Sequence, residues 1–418
     1  MSRLSQARTA VLFLASYGSA RGLAFLGPLL LPRLLAPDTY GGVELALSLA
    51  ALLGSAVGLG VPQAAPRLKL ILGHAGVMEV LALAFLLSAL PLALASVLSA
   101  WQGLPWVVTL TCGLGVLYGA QYGLSFWARV EGRKFLSTWV DNGTLVVLGG
   151  SAAVLTLVAV SPSPRQIIES VWALALPLGG LGVGVLLVLR PQGLLGQWRT
   201  ALKEGLPLLA TGLVLAAFAA APRLLAGRFL PLADVGALAF AARLCLLLLV
   251  VHQLLMTWHF RNLYTWPAAR CDKIFAGLLS GLAALGCLVV LAWPWVAPIL
   301  APDQPPLGRL TVALVAGQTI LWIALALFEA MIGRQGLGRH AAPILAAVGL
   351  LAWGGIEAGL LTIPASPGLI ALASCGLLAM GVGTQWLLLW RSGLVLPRAG
   401  LALAAAAVPP LVALLPGL

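Results

Sequence analysis

Apolar runs of about twenty residues, each closed by a charge or a Pro/Gly cluster, follow one another along this chain and restrict its folds more than any other feature. A bilayer core about 30 Å thick takes roughly 20 apolar residues per helix. Such runs fall at 9–31, 40–62, 78–100, 105–127, 139–160 and 169–189. After a polar stretch from Arg190 to Glu204 they resume at 205–227, 235–257, 275–297, 308–332, 342–363 and 368–390. The period-two alternation of a membrane barrel is absent. The expected fold class is therefore an all-α polytopic membrane protein with 12 spans. The stretch at 400–417, broken by Pro409 and Pro410, is a thirteenth C-terminal span or an interfacial segment.

Composition agrees. Apolar residues make up 61% of the 418 and charged ones 9%, against about 25% charged in a soluble domain. The net charge of +12 would suit nucleic acid only if it were gathered in a tail or patch. Here it is scattered through short loops, as positive-inside topology requires, so nucleic acid is excluded as a partner. With a cytoplasmic N-terminus, 17 of the 24 Lys and Arg fall inside and five (Arg33, Arg165, Arg223, Arg228, Arg309) outside, while Arg21 and Arg243 lie within spans. Residues 3–20 resemble a signal peptide, but apolar character continues past Arg21, so a retained helix is expected. The five cysteines show no CxxC spacing and mostly sit in apolar runs, where a small buried residue is the ordinary reading.

An internal repeat organises the spans. Pro32-Arg33-Leu34-Leu35-Ala36 returns as Pro222-Arg223-Leu224-Leu225-Ala226, and Asp38 and Gly41 return as Asp234 and Gly236. ARVEGRKF at 128–135 matches IGRQGLGRH at 332–340. An offset of six spans keeps orientation, which predicts two six-helix lobes related by a parallel pseudo-repeat with a cavity between them. The expected boundaries are an N-terminal lobe at 1–190, a cytoplasmic linker at 191–204, a C-terminal lobe at 205–391 and an apolar segment at 392–418. A duplicated two-span unit with arginines inside the bilayer suggests a transporter of something anionic.

Three stretches then carry a family resemblance. They are PRLLAPDTYGGVELALSLAALLGSAVGLGVPQAAPR, the basic turn SFWARVEGRKFLSTWVDN, and LLTIPASPGLIALASCGLLAMG at 360–381. In this order and phase they resemble the polysaccharide-biosynthesis (oligosaccharide) flippases of the multidrug/oligosaccharidyl-lipid/polysaccharide exporter superfamily. The resemblance covers most of residues 5–390. It implies alternating access between two lobes and a polyprenyl-(pyro)phosphate-linked oligosaccharide moved from the cytoplasmic to the outer leaflet. Where the family often has an asparagine in its eleventh span, this chain has Glu357.

Candidate substrate-binding residues follow from polar groups at span depth. Arg21 sits about ten residues from the outer end of its span, where a charge costs roughly 2.5–3.5 kcal/mol and ordinarily faces a bundle interior or wet cavity. Tyr17 shares its face. Arg243, at a similar depth in the eighth span, could grip a phosphate together with Arg21. The alternatives are a structural arginine at 21 and snorkelling at 243. Glu44, Ser48 and Ser55 form a polar stripe on the second span, and Glu44 reads equally as a solvated residue, a partner for Arg33 or a cation site. Tyr118, Tyr122, Ser125 and Arg129 descend one face of the fourth span, where aromatics suit sugar stacking or interface anchoring.

The ion-coupling candidates are Glu357, Glu44 and Glu329. An ion pair with Arg334 is the expected state of Glu329, and Gln318 would extend its polar face. His74, His252, His259 and His340 lack metal-ligand spacing. The Asn142-Gly-Thr sequon falls on the cytoplasmic side. No Walker motif, catalytic constellation, cofactor site or metal site is present in the sequence. The expected role is a non-enzymatic exporter in the cell (cytoplasmic/inner) membrane, monomeric, in contact with membrane lipids and glycan-assembly enzymes. The rivals are a cation-coupled drug exporter and a membrane glycosyltransferase or polymerase.

Overall fold

The structure, a computed structural model, describes residues 3–70, 76–146, 148, 163–189 and 194–414, and among these it is helical with no strand. In chain order the helices are α1 (Arg3–Leu34), α2 (Pro37–Ala56), α3 (Val61–Leu70), α4 (Val77–Trp101), α5 (Trp106–Val130), α6 (Lys134–Asp141), α7 (Pro164–Leu189) and α8 (Leu194–Phe229). They continue as α9 (Leu232–Thr265), α10 (Ala268–Leu300), α11 (Arg309–Arg334), α12 (Gly338–Leu360), α13 (Pro367–Arg391), α14 (Pro397–Ala402), a 3-10 turn (Leu403–Ala407) and α15 (Val408–Ala413).

Among the described residues nine helices, α2, α4, α5 and α8 to α13, are long and apolar enough to cross a membrane, so this is a multi-pass helical membrane protein. They coincide with nine of the expected runs. The runs at 9–31 and 169–189 lie in α1 and α7, and most of 139–160 lies outside the described residues.

Three expected boundaries shift. The run at 40–62 is cut, because α2 stops at Ala56 and Gly58, Leu59 and Gly60 take φ of +93°, +53° and +75° before α3 begins. Three successive left-handed residues cannot continue a right-handed helix. Glycine adopts this conformation freely, whereas Leu59 pays about 1–2 kcal/mol for it. The Gly58 N–H freed by the break donates to Ser88 Oγ at 2.9 Å. Residues 194–204 of the expected linker are the first turns of α8, which continues unbroken to Phe229. The C-terminal stretch is no single helix but two short helices joined by a 3-10 turn, with Pro397 and Pro409 near their starts.

The two basic turns matched in sequence end their helices alike. Arg133 N–H bonds Ala128 O and Gly132 N–H bonds Arg129 O after α5; Leu337 N–H bonds Ile332 O and Gly336 N–H bonds Gly333 O after α11. Each is a Schellman motif, which needs the positive φ found at Gly132 and Gly336.

The chain forms two compact units, Met1–Ala216 and Ala217–Leu418, with the boundary inside α8. In the first, α2 and α5 cross tightly on small residues. A Cβ on Gly119 would lie 2.1 Å from Val57 Cγ1 and one on Gly54 2.4 Å from Tyr118 Cβ, the close approach by which membrane helices gain van der Waals contact. Val61, Ala64 and Leu68 of α3 pack with Val80, Leu81 and Ala84 of α4, Ala201 of α8 and the rings of Trp127 and Trp198.

In the second unit α11 is the central helix, buried along its length from Val312 to Ile332 and packed by α9, α10 and α13. The C-terminal segment seats against it: Ala406 O lies over Gly317, where a Cβ would stand 2.8 Å away, and Pro409 lies over Gly286 of α10. Asp272 of α10, 3% exposed, accepts the main-chain N–H groups of Arg398 (3.2 Å) and Ala399 (2.8 Å) at the start of α14.

Candidate functional site

In the first unit the polar groups gather around α6, a short helix that joins α5 to α1. Its last residue, Asp141, accepts Ser125 Oγ on one carboxylate oxygen and Arg129 Nη2 on the other. Its carbonyl accepts Gln121 Nε2 at 2.7 Å. Gln121 Oε1 in turn accepts the N–H and hydroxyl of Thr144 at 3.0 and 2.7 Å. Toward α1, Trp139 Nε1 donates to Ser16 Oγ at 3.0 Å, and the rings of Phe13 and Phe135 meet edge-on at 5.8 Å.

Arg21 and Tyr17 occupy the helix face that begins with Phe13, each one turn beyond the last. The Arg21 guanidinium lies 5.6 Å from the Tyr17 ring centroid. Its Nε is sealed from solvent and makes no hydrogen bond among the described residues. The sequence thus located Arg21 and Tyr17 as a pair. It missed Trp139 and Asp141, because the amphipathic turn of α6 reads as the foot of a span. The signal available was Asp141 itself, an acid one turn inside an apolar run and facing a basic turn.

Tyr118 and Tyr122 stack along α5 with centroids 6.4 Å apart and planes 29° apart. Glu44 is only 1% exposed, which removes the solvated reading. The Ser48 hydroxyl donates to the main-chain oxygen of Glu44 and the Ser55 hydroxyl to that of Leu52, so both donors of the stripe are spent within α2.

The second unit contains a cavity of about 150 Å³. Its walls are Phe218, Pro222 and Arg223 of α8, Val235, Leu238 and Ala242 of α9, Gln318, Thr319 and Trp322 of α11, and Ile370 and Leu378 of α13. The sequence puts Arg223 on the outer side, near the end of the run at 205–227. Here α8 continues six residues past it, whereas in the other copy of the Pro-Arg-Leu-Leu-Ala motif α1 stops one residue after Arg33. By position in the last turn, Arg33 corresponds to Arg228, and Asp38 and Asp234 open the following helices. Arg223 therefore lies deeper than the motif alone implies. Arg243 is buried, 7% exposed, beside the cavity-lining Ala242.

The acids of this unit are held differently from one another. Glu357 accepts Trp353 Nε1 at 3.2 Å and stands 3.6 Å from Arg228 Nε, a partly exposed pair. Glu329 does not pair with Arg334. Arg334 donates to the carbonyls of Leu263 and Trp266 at 2.9 and 2.8 Å, capping the end of α9, while Glu329 Oε2 accepts Gln385 Nε2 at 3.0 Å. Those two carbonyls lack helical partners at a helix C-terminus, which explains why the cation goes to them. Gln318 Nε2 bonds Ala371 O at 2.8 Å, tying α11 to α13. Among the described residues no three His, Cys, Asp or Glu stand close enough to hold a metal ion.

Arg21 belongs to the first unit and Arg243 to the second, as do the two clusters described around them. No protein-family model, curated protein or solved structure matches the chain.

Proposed function

We propose that this protein is a transporter that flips a polyprenyl-(pyro)phosphate-linked oligosaccharide from the cytoplasmic to the outer leaflet for cell-surface polysaccharide export. In this reading the two units are six-helix lobes of a parallel pseudo-repeat with 12 spans and a cytoplasmic N-terminus, in the cell membrane. The observation that carries it is Arg21, a guanidinium midway along α1 in the expected first span, set against the ring of Tyr17. Such a charge is costly in a bilayer unless a wet cavity or an anion compensates it, and guanidinium matches phosphate geometry. Arg223 in the wall of a largely apolar cavity, where Gln318 and Thr319 are further polar groups, supports the same reading. Cations among apolar walls suit a substrate that joins a phosphate to a hydrocarbon chain. Arg21 and Arg243 would neutralise the headgroup, the polyprenyl tail would stay in lipid, and rocking of the lobes would expose the sugar outside.

Arg21→Ala tests this: glycan export should stop at unchanged protein level, and lipid mass spectrometry should show one polyprenyl-linked intermediate accumulating. Normal export in that variant removes the assignment. A second reading, a cation-coupled small-molecule exporter, is favoured by Glu44, a carboxylate only 1% exposed within α2. Depletion without any accumulated lipid intermediate, together with drug sensitivity of Glu44→Gln cells, would select it.

A further inference from the structure

We propose that Glu329 and Gln385 form a proton-binding site within the second unit, an acid and an amide that close into a ring of two hydrogen bonds when Glu329 takes up a proton. As a coupling device the site rests on the transporter reading above; as a proton site it stands without it.

The geometry is half complete as it stands. Gln385 Nε2 donates to Glu329 Oε2 at 3.0 Å. Gln385 is wholly buried, and its own Oε1 is sealed from solvent with no donor among the described residues. A buried acceptor left bare is unfavourable. A carboxylate offers only acceptors, whereas a protonated carboxyl offers one O–H donor. When a proton from solvent bonds to Glu329 Oε1, that O–H can donate to Gln385 Oε1 while Oε2 keeps the amide N–H. The orphaned atom is then satisfied and the charge is gone from the bundle. Release of the proton restores the open pair.

Among the described residues no cation is paired with the carboxylate. Arg334, on the same helix, is committed to the carbonyls of Leu263 and Trp266. On α10, Asp272 holds the amides of Arg398 and Ala399, and Arg270 lies on the Trp266 ring at 4.2 Å. His252 of α9 makes no hydrogen bond at either ring nitrogen among the described residues, and Arg391 closes α13 at an exposed position. Phe328, Met331 and Ile332 around Glu329 are wholly buried and apolar. Glu329 itself is partly exposed, which gives the proton a route that Gln385 lacks.

Infrared difference spectroscopy of the full chain in lipid nanodiscs, titrated through the neutral range, tests the site without a transport assay. A carboxylic-acid carbonyl band that disappears on raising pH, is lost in Glu329→Gln and moves in frequency in Gln385→Leu is the expected result. A band unchanged in Glu329→Gln, or present in wild type and unmoved in Gln385→Leu, overturns the pairing. A response to sodium at constant pH in place of a response to pH overturns the proton. If the band behaves as stated and export ignores Glu329→Gln, the site stands and its coupling role fails. If export is absent in wild type too, the transporter reading fails independently.

Discussion

Gly60, in the left-handed turn between α2 and α3, stands so close to Gly205 of α8 that a Cβ on Gly60 would lie 2.1 Å from the Gly205 carbonyl oxygen. Gly60 is also at φ +75°. Gly60→Ala therefore meets two penalties, about 1–2 kcal/mol for the left-handed backbone and about 1–3 kcal/mol for the overlap with rigid main chain. Gly103 is the control: its φ is +66° but a Cβ there meets nothing within 4 Å. Thermal unfolding in detergent should place Gly60→Ala well below Gly103→Ala. Equal midpoints would show that α8 does not press on the turn.

Asp141 fixes α6 to α5 through Ser125 and Arg129, with side-chain exposures of 49% for Arg129 and 23% for Asp141. Partly exposed pairs are screened and contribute about 0.2–1 kcal/mol. A double-mutant cycle with Arg129→Gln and Asp141→Asn should return a coupling energy near 1 kcal/mol, at the upper end because Asp141 also carries the Ser125 bond. Lys69–Glu131, exposed 35% on both sides, should give close to nothing in the same experiment. A coupling as large for Lys69–Glu131 as for Arg129–Asp141 would contradict the ranking.

Membrane-spanning helices were legible because about twenty apolar residues in sequence have few alternatives. The likeness of the two basic turns was legible as ARVEGRKF and IGRQGLGRH, and the structure adds that Gly132 and Gly336 end their helices alike. The break at Val57–Gly60 was not, because VGLG is apolar throughout and hydropathy cannot distinguish a left-handed turn from a continuing helix. The extension of α8 past Arg223 was not legible, because its motif is identical to the one at Arg33, where α1 ends one residue later. Glu329 reads in sequence as an ion-pair partner of Arg334, but its partner lies 56 residues away on α13. A basic residue five positions on, Arg334, is the nearer guess in sequence and the wrong one in space.

The carboxylate of Asp272 gathers the start of α14 by two main-chain amides. Hydrogen bonds to a charged group contribute about 1.5–3 kcal/mol each, and among the described residues these two join α10 to that turn. Asp272→Ala should loosen residues 397–413 before it melts the unit. Limited proteolysis would then cut the C-terminal segment at least several-fold faster than in wild type, with the thermal midpoint of the remaining helices lowered only slightly. Asp272→Asn keeps one acceptor and should fall between. Unchanged cleavage in Asp272→Ala would show that Ala406 and Pro409, packed over Gly317 and Gly286, hold the segment alone.

The cavity walled by Arg223 separates two meanings of an internal void. A packing defect lined by apolar atoms costs stability, and filling it recovers about 24 cal/mol per Å³. A binding site gains nothing for the organism when it is filled. Ala242→Leu adds bulk on the α9 wall, facing Gln318 and Phe218 across the space. If the cavity accepts part of a substrate, export should fall several-fold while the thermal midpoint stays level or rises. Arg223→Leu should lower export as well, and Arg223→Lys should restore part of it, since an ammonium keeps the charge without the bidentate fork. If Ala242→Leu raises stability and leaves export untouched, the space is a void and Arg223 serves the packing of α8.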